Sequence, residues 1–290
     1  MRISTEIGTL SRFVGAQRAT ALVGEAGFDA YDLSLFGLVR YDYATRTLSP
    51  GAGPLGGEDY LAHVRELRGI AESYGMVCNQ SHAPFPSHIA GMEKYLKRAV
   101  EATAEAGAEF CVLHPDGNTR EEMLALVRGL LPFARACGVR LALENIAYRD
   151  RQTDCYIPHY CSGPAAFAAT LDELHDDFAV ACLDIAHAEL RGLGTHAVEM
   201  IRALGPRLRV LHVHDNDCWH DLHQLPLTGE IDFPAVMAAL REIGYDGYLT
   251  LECDGFIKQV APTDPVRAVR EMALAARRLA EMLADEGASR

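Results

Sequence analysis

Four apolar runs in this 290-residue chain end in side chains of metal-ligand type: LALEN in Glu144, ACLDIAH in Asp184 and His187, VLHVHD in His212, and YLTLEC in Glu252. An apolar strand has no packing reason to end in Glu, Asp or His. Carboxylates and imidazoles delivered from neighbouring strand ends can instead converge on one divalent cation. One such residue reads equally well as a salt-bridged core group, but four in succession favour a site. Histidines recur at further strand ends, His82 in CNQSHAPF and His114 in CVLHPDG, and Asp221 and His223 follow in WHDLHQLP. His63, His88, His159, His175, His196 and His220 read as ordinary hydrogen-bonded residues.

Positioning such groups takes short buried strands, and one phrase announces many of them: EAGFDAYDLSL, SYGMVCNQSH, EAGAEFCVLH, ACGVRLALEN and EIGYDGYLTLE. In each, Gly follows the last helical turn and a strand begins shortly after. The pattern predicts strands near residues 2–7, 28–35, 76–82, 109–114, 139–145, 179–184, 208–214 and 247–253. Amphipathic helices such as YLAHVRELRGIAESY, MEKYLKRAVEATAEA, EEMLALVRGLLPFARA and FPAVMAALREI lie between them. This alternation predicts an α/β fold, a parallel eight-stranded (β/α)8 TIM barrel forming a single domain over 1–290. No Gly-rich phosphate loop follows a strand, which argues against an open nucleotide-binding sheet.

A barrel carries its chemistry at the C-terminal ends of its strands, where all the candidate ligands fall. Strand alternation puts Ala142 and Glu144 on one face, as it does His212 with His214 and Thr250 with Glu252. Asp184 and His187 are three apart, so their strand must end near Asp184 and turn. The loops at 36–57, 146–162 and 215–231 are long enough to form a lid over a polar ligand.

Hydrophobic residues make up 49% of the chain and the net charge is −13. Such an acidic composition disfavours nucleic acid as a partner, and Arg12, Arg18, Arg40 and Arg46 form no dense basic cluster. With no membrane-length apolar run and no signal-type leader, the expectation is a soluble cytoplasmic protein. The eight cysteines contain no Cys-x-x-Cys pair and predict no disulfide framework, with Cys155 and Cys161 left open.

Over essentially its whole length the chain resembles the sugar isomerase/epimerase superfamily of xylose-isomerase-like barrels. That group includes ketose 3-epimerases, hydroxypyruvate isomerase, inosose dehydratase and endonuclease IV. The resemblance is most specific in LEN at Glu144, DIAH at Asp184 and His187, HVHDND at His212, DLHQLPLTGEIDF from Asp221, and LEC at Glu252. It implies that Glu144, Asp184, His212 and Glu252 hold a divalent metal, Mn²⁺ first, with Mg²⁺, Co²⁺ or Zn²⁺ as alternatives. It further implies that Glu144 and Glu252 form the acid/base pair of an isomerase or epimerase acting beside a sugar carbonyl, with His187 on a substrate oxygen. A dehydratase would share the first half of that chemistry. His82, His114, Asp221 and His223 are implied to line the substrate pocket; in the endonuclease branch their counterparts bind additional zinc, the alternative being a phosphodiesterase. A non-catalytic sugar binder is a third reading, against which both glutamates count. The expected partner is a small sugar-like molecule, and the resemblance also allows a homo-oligomer.

Overall fold

The repeated helix–Gly–strand phrase folds as its chemistry dictates. In the computed structural model, which describes residues 1–284 other than 118, 147 and 151, Gly107 ends a helix at φ +78° and donates its N–H to the Ala104 carbonyl at 3.0 Å. Gly27, Gly75, Gly138 and Gly244 repeat the positive φ, a geometry costly for a residue with a Cβ.

Eight strands follow: β1 (Arg2–Glu6), β2 (Ala30–Ser34), β3 (Val77–His82), β4 (Phe110–Leu113), β5 (Arg140–Glu144), β6 (Ala179–Asp184), β7 (Leu208–His212) and β8 (Tyr248–Leu251). They form one parallel sheet in the order β7-β6-β5-β4-β3-β2-β1-β8. The ring closes between β7 and β8 through a parallel bridge of Val213 with Leu251. There the Val213 N–H donates to Thr250 at 2.8 Å and the Glu252 N–H to Val213 at 3.1 Å. The result is the expected (β/α)8 TIM barrel, with most strands a residue or two shorter than predicted.

Helices pack outside the ring. The helix Glu93–Ala106 buries Tyr95, Leu96, Ala99, Val100 and Thr103, the three- and four-residue spacing of a single face. Thr119 caps the helix Arg120–Ala136 by accepting the Glu122 N–H, and Asp232 caps Phe233–Glu242 by accepting the Ala235 N–H. No described helix is long and apolar enough to cross a membrane.

The barrel interior has two chemistries. Val112, Ala142, Val180, Cys182 and Val210 form an apolar cluster across β4 to β7. On the opposite side, β1, β2, β3 and β8 contribute a buried polar network. Ser4 donates to Asn79 at 2.6 Å, Asn79 to Thr250 at 3.0 Å, Thr250 to Gln80 at 3.0 Å, and Gln80 to Asp32 at 2.9 Å. Of these side chains, Asp32 alone keeps a buried oxygen without a partner, Oδ1.

Two loops depart from expectation. Within 36–57, Val39–Asp42 pairs antiparallel with Thr47–Pro50; within 146–162, Tyr148–Asp150 pairs with Cys155–Ile157. The first hairpin turns because the Asp42 carboxylate accepts the Ala44 and Thr45 N–H groups at 2.8 and 3.1 Å, a local Asx interaction. All eight cysteines are free, Cys155 and Cys161 among them.

Candidate metal centre and active site

Glu144, Asp184, His212 and Glu252 arrive from the ends of β5, β6, β7 and β8, each with one potential ligand atom within 4.8 Å of the other three. His212 lies between the glutamates: its Nδ1 is 3.2 Å from Glu144 Oε1 and 3.7 Å from Glu252 Oε2. Neither ring nitrogen of this fully buried histidine has a hydrogen-bond partner, and Glu144 Oε2 is likewise buried without one. Orphaned buried donors and acceptors are costly, and a cation held by this oxygen and nitrogen set on the Nδ1 side of His212 would satisfy that nitrogen. The residues therefore fit a divalent metal.

The surroundings hold these side chains in place. Asp32, at the end of the polar network, brings Oδ2 to 3.5 Å from His212 Nε2, the side away from the glutamates. A carboxylate there orients a ligating imidazole. Asn145 clamps β5 to β6, accepting the Asp184 N–H at 2.7 Å and donating to the Asp184 carbonyl at 2.8 Å. As alternation required, β6 ends at Asp184, whose Oδ1 accepts the His187 N–H at 2.8 Å. That turn carries the His187 ring across the mouth.

Two further groups flank this centre. His82 and His114 place Nε2 atoms at 3.4 and 3.2 Å from Glu144 Oε2, with 2.8 Å between the two imidazoles. On the other flank, Asp221 Oδ2 lies 3.3 Å from His187 Nε2 and 3.2 Å from His223 Nε2. His214 Nε2 is 3.1 Å from Asp184 Oδ2 and its ring stacks on His223 at 3.9 Å. Each flanking group is itself a possible cation cradle. The structure thus brings all nine residues singled out from sequence into one cluster.

Burial favours the neutral acid at Glu144, but His212 and His114 outweigh it and hold the carboxyl well below the usual range. At Glu252, His212 and His82 likewise overcome burial and lower the value. Burial opposes charge on His82, yet the two glutamates push its imidazole up to about 10. His223 also rises to about 10 against burial, driven by Asp221. The carboxylates and imidazoles thus favour each other's charged forms, and a cation bound here would compete with imidazole protons for the same oxygens.

Two cavities adjoin the centre. One of about 480 Å³ is bounded by Glu6, Ser34, Leu55 and Glu252; the other, about 790 Å³, reaches His114, His187 and Asp221. Sequence reasoning missed Glu6, Asp32, Asn145 and His214 as parts of the site. His214 was detectable, since alternation puts it on the His212 face, and Glu6 ends its strand as the other glutamates do. Asp32 and Asn145 act through contacts with residues far away in sequence, which no local pattern reports. His88, read as ordinary, pairs with Asp116 at 3.0 Å on the wall of the larger cavity.

Comparison with known proteins agrees with this architecture. The family model for xylose isomerase-like TIM barrels matches residues 21–283. An uncharacterized protein of Methanocaldococcus jannaschii is 26% identical over 253 residues, covering 79% of this chain and 76% of its own. An L-ribulose 3-epimerase of a Methylomonas species is 24% identical over 251 residues, covering 82% and 78%. A solved D-tagatose 3-epimerase-like protein superposes with a TM-score of 0.71 at 18% identity over 98% of both chains. The chain belongs to the xylose isomerase-like TIM-barrel family.

Proposed function

We propose that the protein is a divalent-metal-dependent isomerase or epimerase of a small sugar or related polyhydroxy carbonyl compound. The observation that supports this most is the placement of two glutamates on either side of His212, at 3.2 and 3.7 Å from its Nδ1. Glu144, Asp184, His212 and Glu252 would hold the metal, with Mn²⁺ first among the candidates. When bound, the ion supplies positive charge that polarises the substrate carbonyl and so acidifies the neighbouring C–H. One glutamate takes that proton and the other delivers a proton to the opposite face of the carbon, inverting it. The proton-delivering glutamate begins the turnover protonated and the proton-taking one ends it so, and exchange with solvent resets the pair. His187 donates a hydrogen bond to a substrate oxygen. His82, His114, Asp221 and His223 line the pocket. Expulsion of a β-hydroxyl in place of reprotonation would make the same site a dehydratase. That an L-ribulose 3-epimerase matches over most of its length is consistent with the sugar reading.

The test is solvent-deuterium exchange into a ketose or inosose. Glu144→Gln and Glu252→Gln should each lower exchange at least a thousandfold, and persistence of exchange in both would contradict the acid/base assignment. Metal content is measured alongside, because each substitution also alters a ligand.

A second reading rests on the two flanking groups, His82 and His114 with Glu144, and His187, His214, Asp221 and His223. If these hold ions as well, the site is a three-metal phosphodiesterase centre. The isomerase reading expects about one tightly bound ion per chain by elemental analysis after dialysis. Three ions together with cleavage of an abasic duplex would replace it with the phosphodiesterase.

A further inference from the structure

The cavity of about 790 Å³ beside the centre is larger than one sugar ring requires. A hexose has about twelve non-hydrogen atoms; at the roughly 30 Å³ that each water occupies in the liquid, it needs about 360 Å³. Glu144, Asp184, His212 and Glu252 do not line this cavity, so a monosaccharide seated over them fills at most part of it. His114, His187 and Asp221 line it together with Tyr41, Tyr43, Phe85 and Tyr148.

These rings are anchored yet open. Phe85 packs against the His114 ring at 4.7 Å, Tyr41 meets Tyr43 edge-on at 4.8 Å, and Tyr148 meets His159 edge-on at 5.0 Å. Even so, Tyr43 is 71% exposed, Phe85 45% and Tyr148 44%. Three large aromatic side chains left in water around one cavity form the kind of patch that marks a binding site. Held at fixed angles, their faces suit a flat or C–H-lined ring, while the phenol hydroxyls and nearby polar groups satisfy its substituents. Arg46, on the same wall, has no hydrogen bond or ion pair with any described residue, so its guanidinium donors are available to ligand hydroxyls.

We propose that the substrate is a glycoside of two sugar units. The reacting ketose unit, open-chain with its carbonyl free, sits over Glu144 and Glu252, and a sugar ring joined to it occupies the space between Tyr43, Phe85 and Tyr148. The identity of the reacting unit rests on the isomerase or epimerase reading above; the subsite for the joined ring rests on the cavity and its walls.

The test uses the metal-loaded full-length protein. Solvent-deuterium exchange is compared for D-fructose and for two disaccharides that carry fructose as the ketose, isomaltulose and lactulose. We expect kcat/KM at least tenfold higher for one of the disaccharides, and that preference ratio should fall at least tenfold in Tyr43→Ala and Tyr148→Ala. Exchange into fructose with no gain for either disaccharide, or a ratio unmoved by both substitutions, overturns the subsite and leaves the isomerase standing. If a second copy of the chain covers these rings instead, Tyr43→Ala changes the oligomeric state with the ratio unmoved, which also overturns it. Calorimetry with glucose and cellobiose reads the subsite independently of turnover. Binding of cellobiose at least tenfold tighter than glucose, lost in Tyr43→Ala, supports the subsite even where exchange is absent and the isomerase reading fails; equal affinities overturn it.

Discussion

Glu6 shows how much one residue at a strand end can carry. Its carboxylate turns back onto the first turn of the following helix, accepting the N–H of Gly8 and, at 3.2 Å, that of Thr9. A Cβ at Gly8 would come within 2.4 Å of that carboxylate and 2.5 Å of Ser34, so the close approach needs glycine. Burial first, then the charges of Asp254 and Asp32, push the Glu6 carboxyl from 4.5 up to about 8. An acid raised on folding contributes stability that is fully present below about pH 4.5 and lost as pH rises through about 8. Glu6→Gln keeps the shape and an acceptor but removes the titration. We expect its urea midpoint to change less than that of the parent between pH 5 and pH 8.5, and to exceed the parent's at the upper value. A parent midpoint as flat as that of the variant would contradict this. The same residue marks a limit of sequence reading: RISTE ends in Glu just as LALE does, but no second motif accompanies it, and its partners Asp32 and Asp254 lie on other elements.

At the scale of elements, the segment 215–231 delivers half of one flanking group, and a single carboxylate organises it. Asp215 accepts the N–H groups of Asn216 at 2.9 Å, Thr228 at 3.1 Å, Gly229 at 2.9 Å and Ile231 at 3.3 Å. It also exchanges backbone hydrogen bonds of 2.9 Å with Gln224. This closes the loop into a hoop whose far side presents Asp221 and His223. Asp215→Asn puts an amide donor against backbone donors and weakens charge-assisted hydrogen bonds of about 1.5–3 kcal/mol each. The variant should lose about 2 kcal/mol of stability in denaturant unfolding, and an unchanged midpoint would show that the loop is held elsewhere. The helices and barrel strands were legible because each repeats a local rule, apolar spacing closed by Gly. The hairpins in the first two long loops were not, since Thr47–Pro50 and Cys155–Ile157 are short and carry no strand alternation.

For the whole molecule, the polar network under His212 and the apolar cluster across β4 to β7 divide the barrel interior into a side that reaches the site and a side that only fills space. That division places a carboxylate, Asp32, beneath His212, 180 positions away in sequence. Sequence by itself determined that eight strand-and-helix units exist, that they favour a closed parallel barrel, and that Glu144, Asp184, His212 and Glu252 stand at the strand ends where such a barrel gathers its chemistry. These follow from periodicity and from the cost of burying a polar side chain, both of which are local. Only the tertiary structure decided that Glu144 is shared by His82, His114 and His212, that His214 and Glu6 join the site, that Val213 and Leu251 close the ring, and that an aromatic cavity opens beside it. Those are distances between residues far apart in the chain, and a one-dimensional pattern reports the face a side chain occupies, not which other faces it meets.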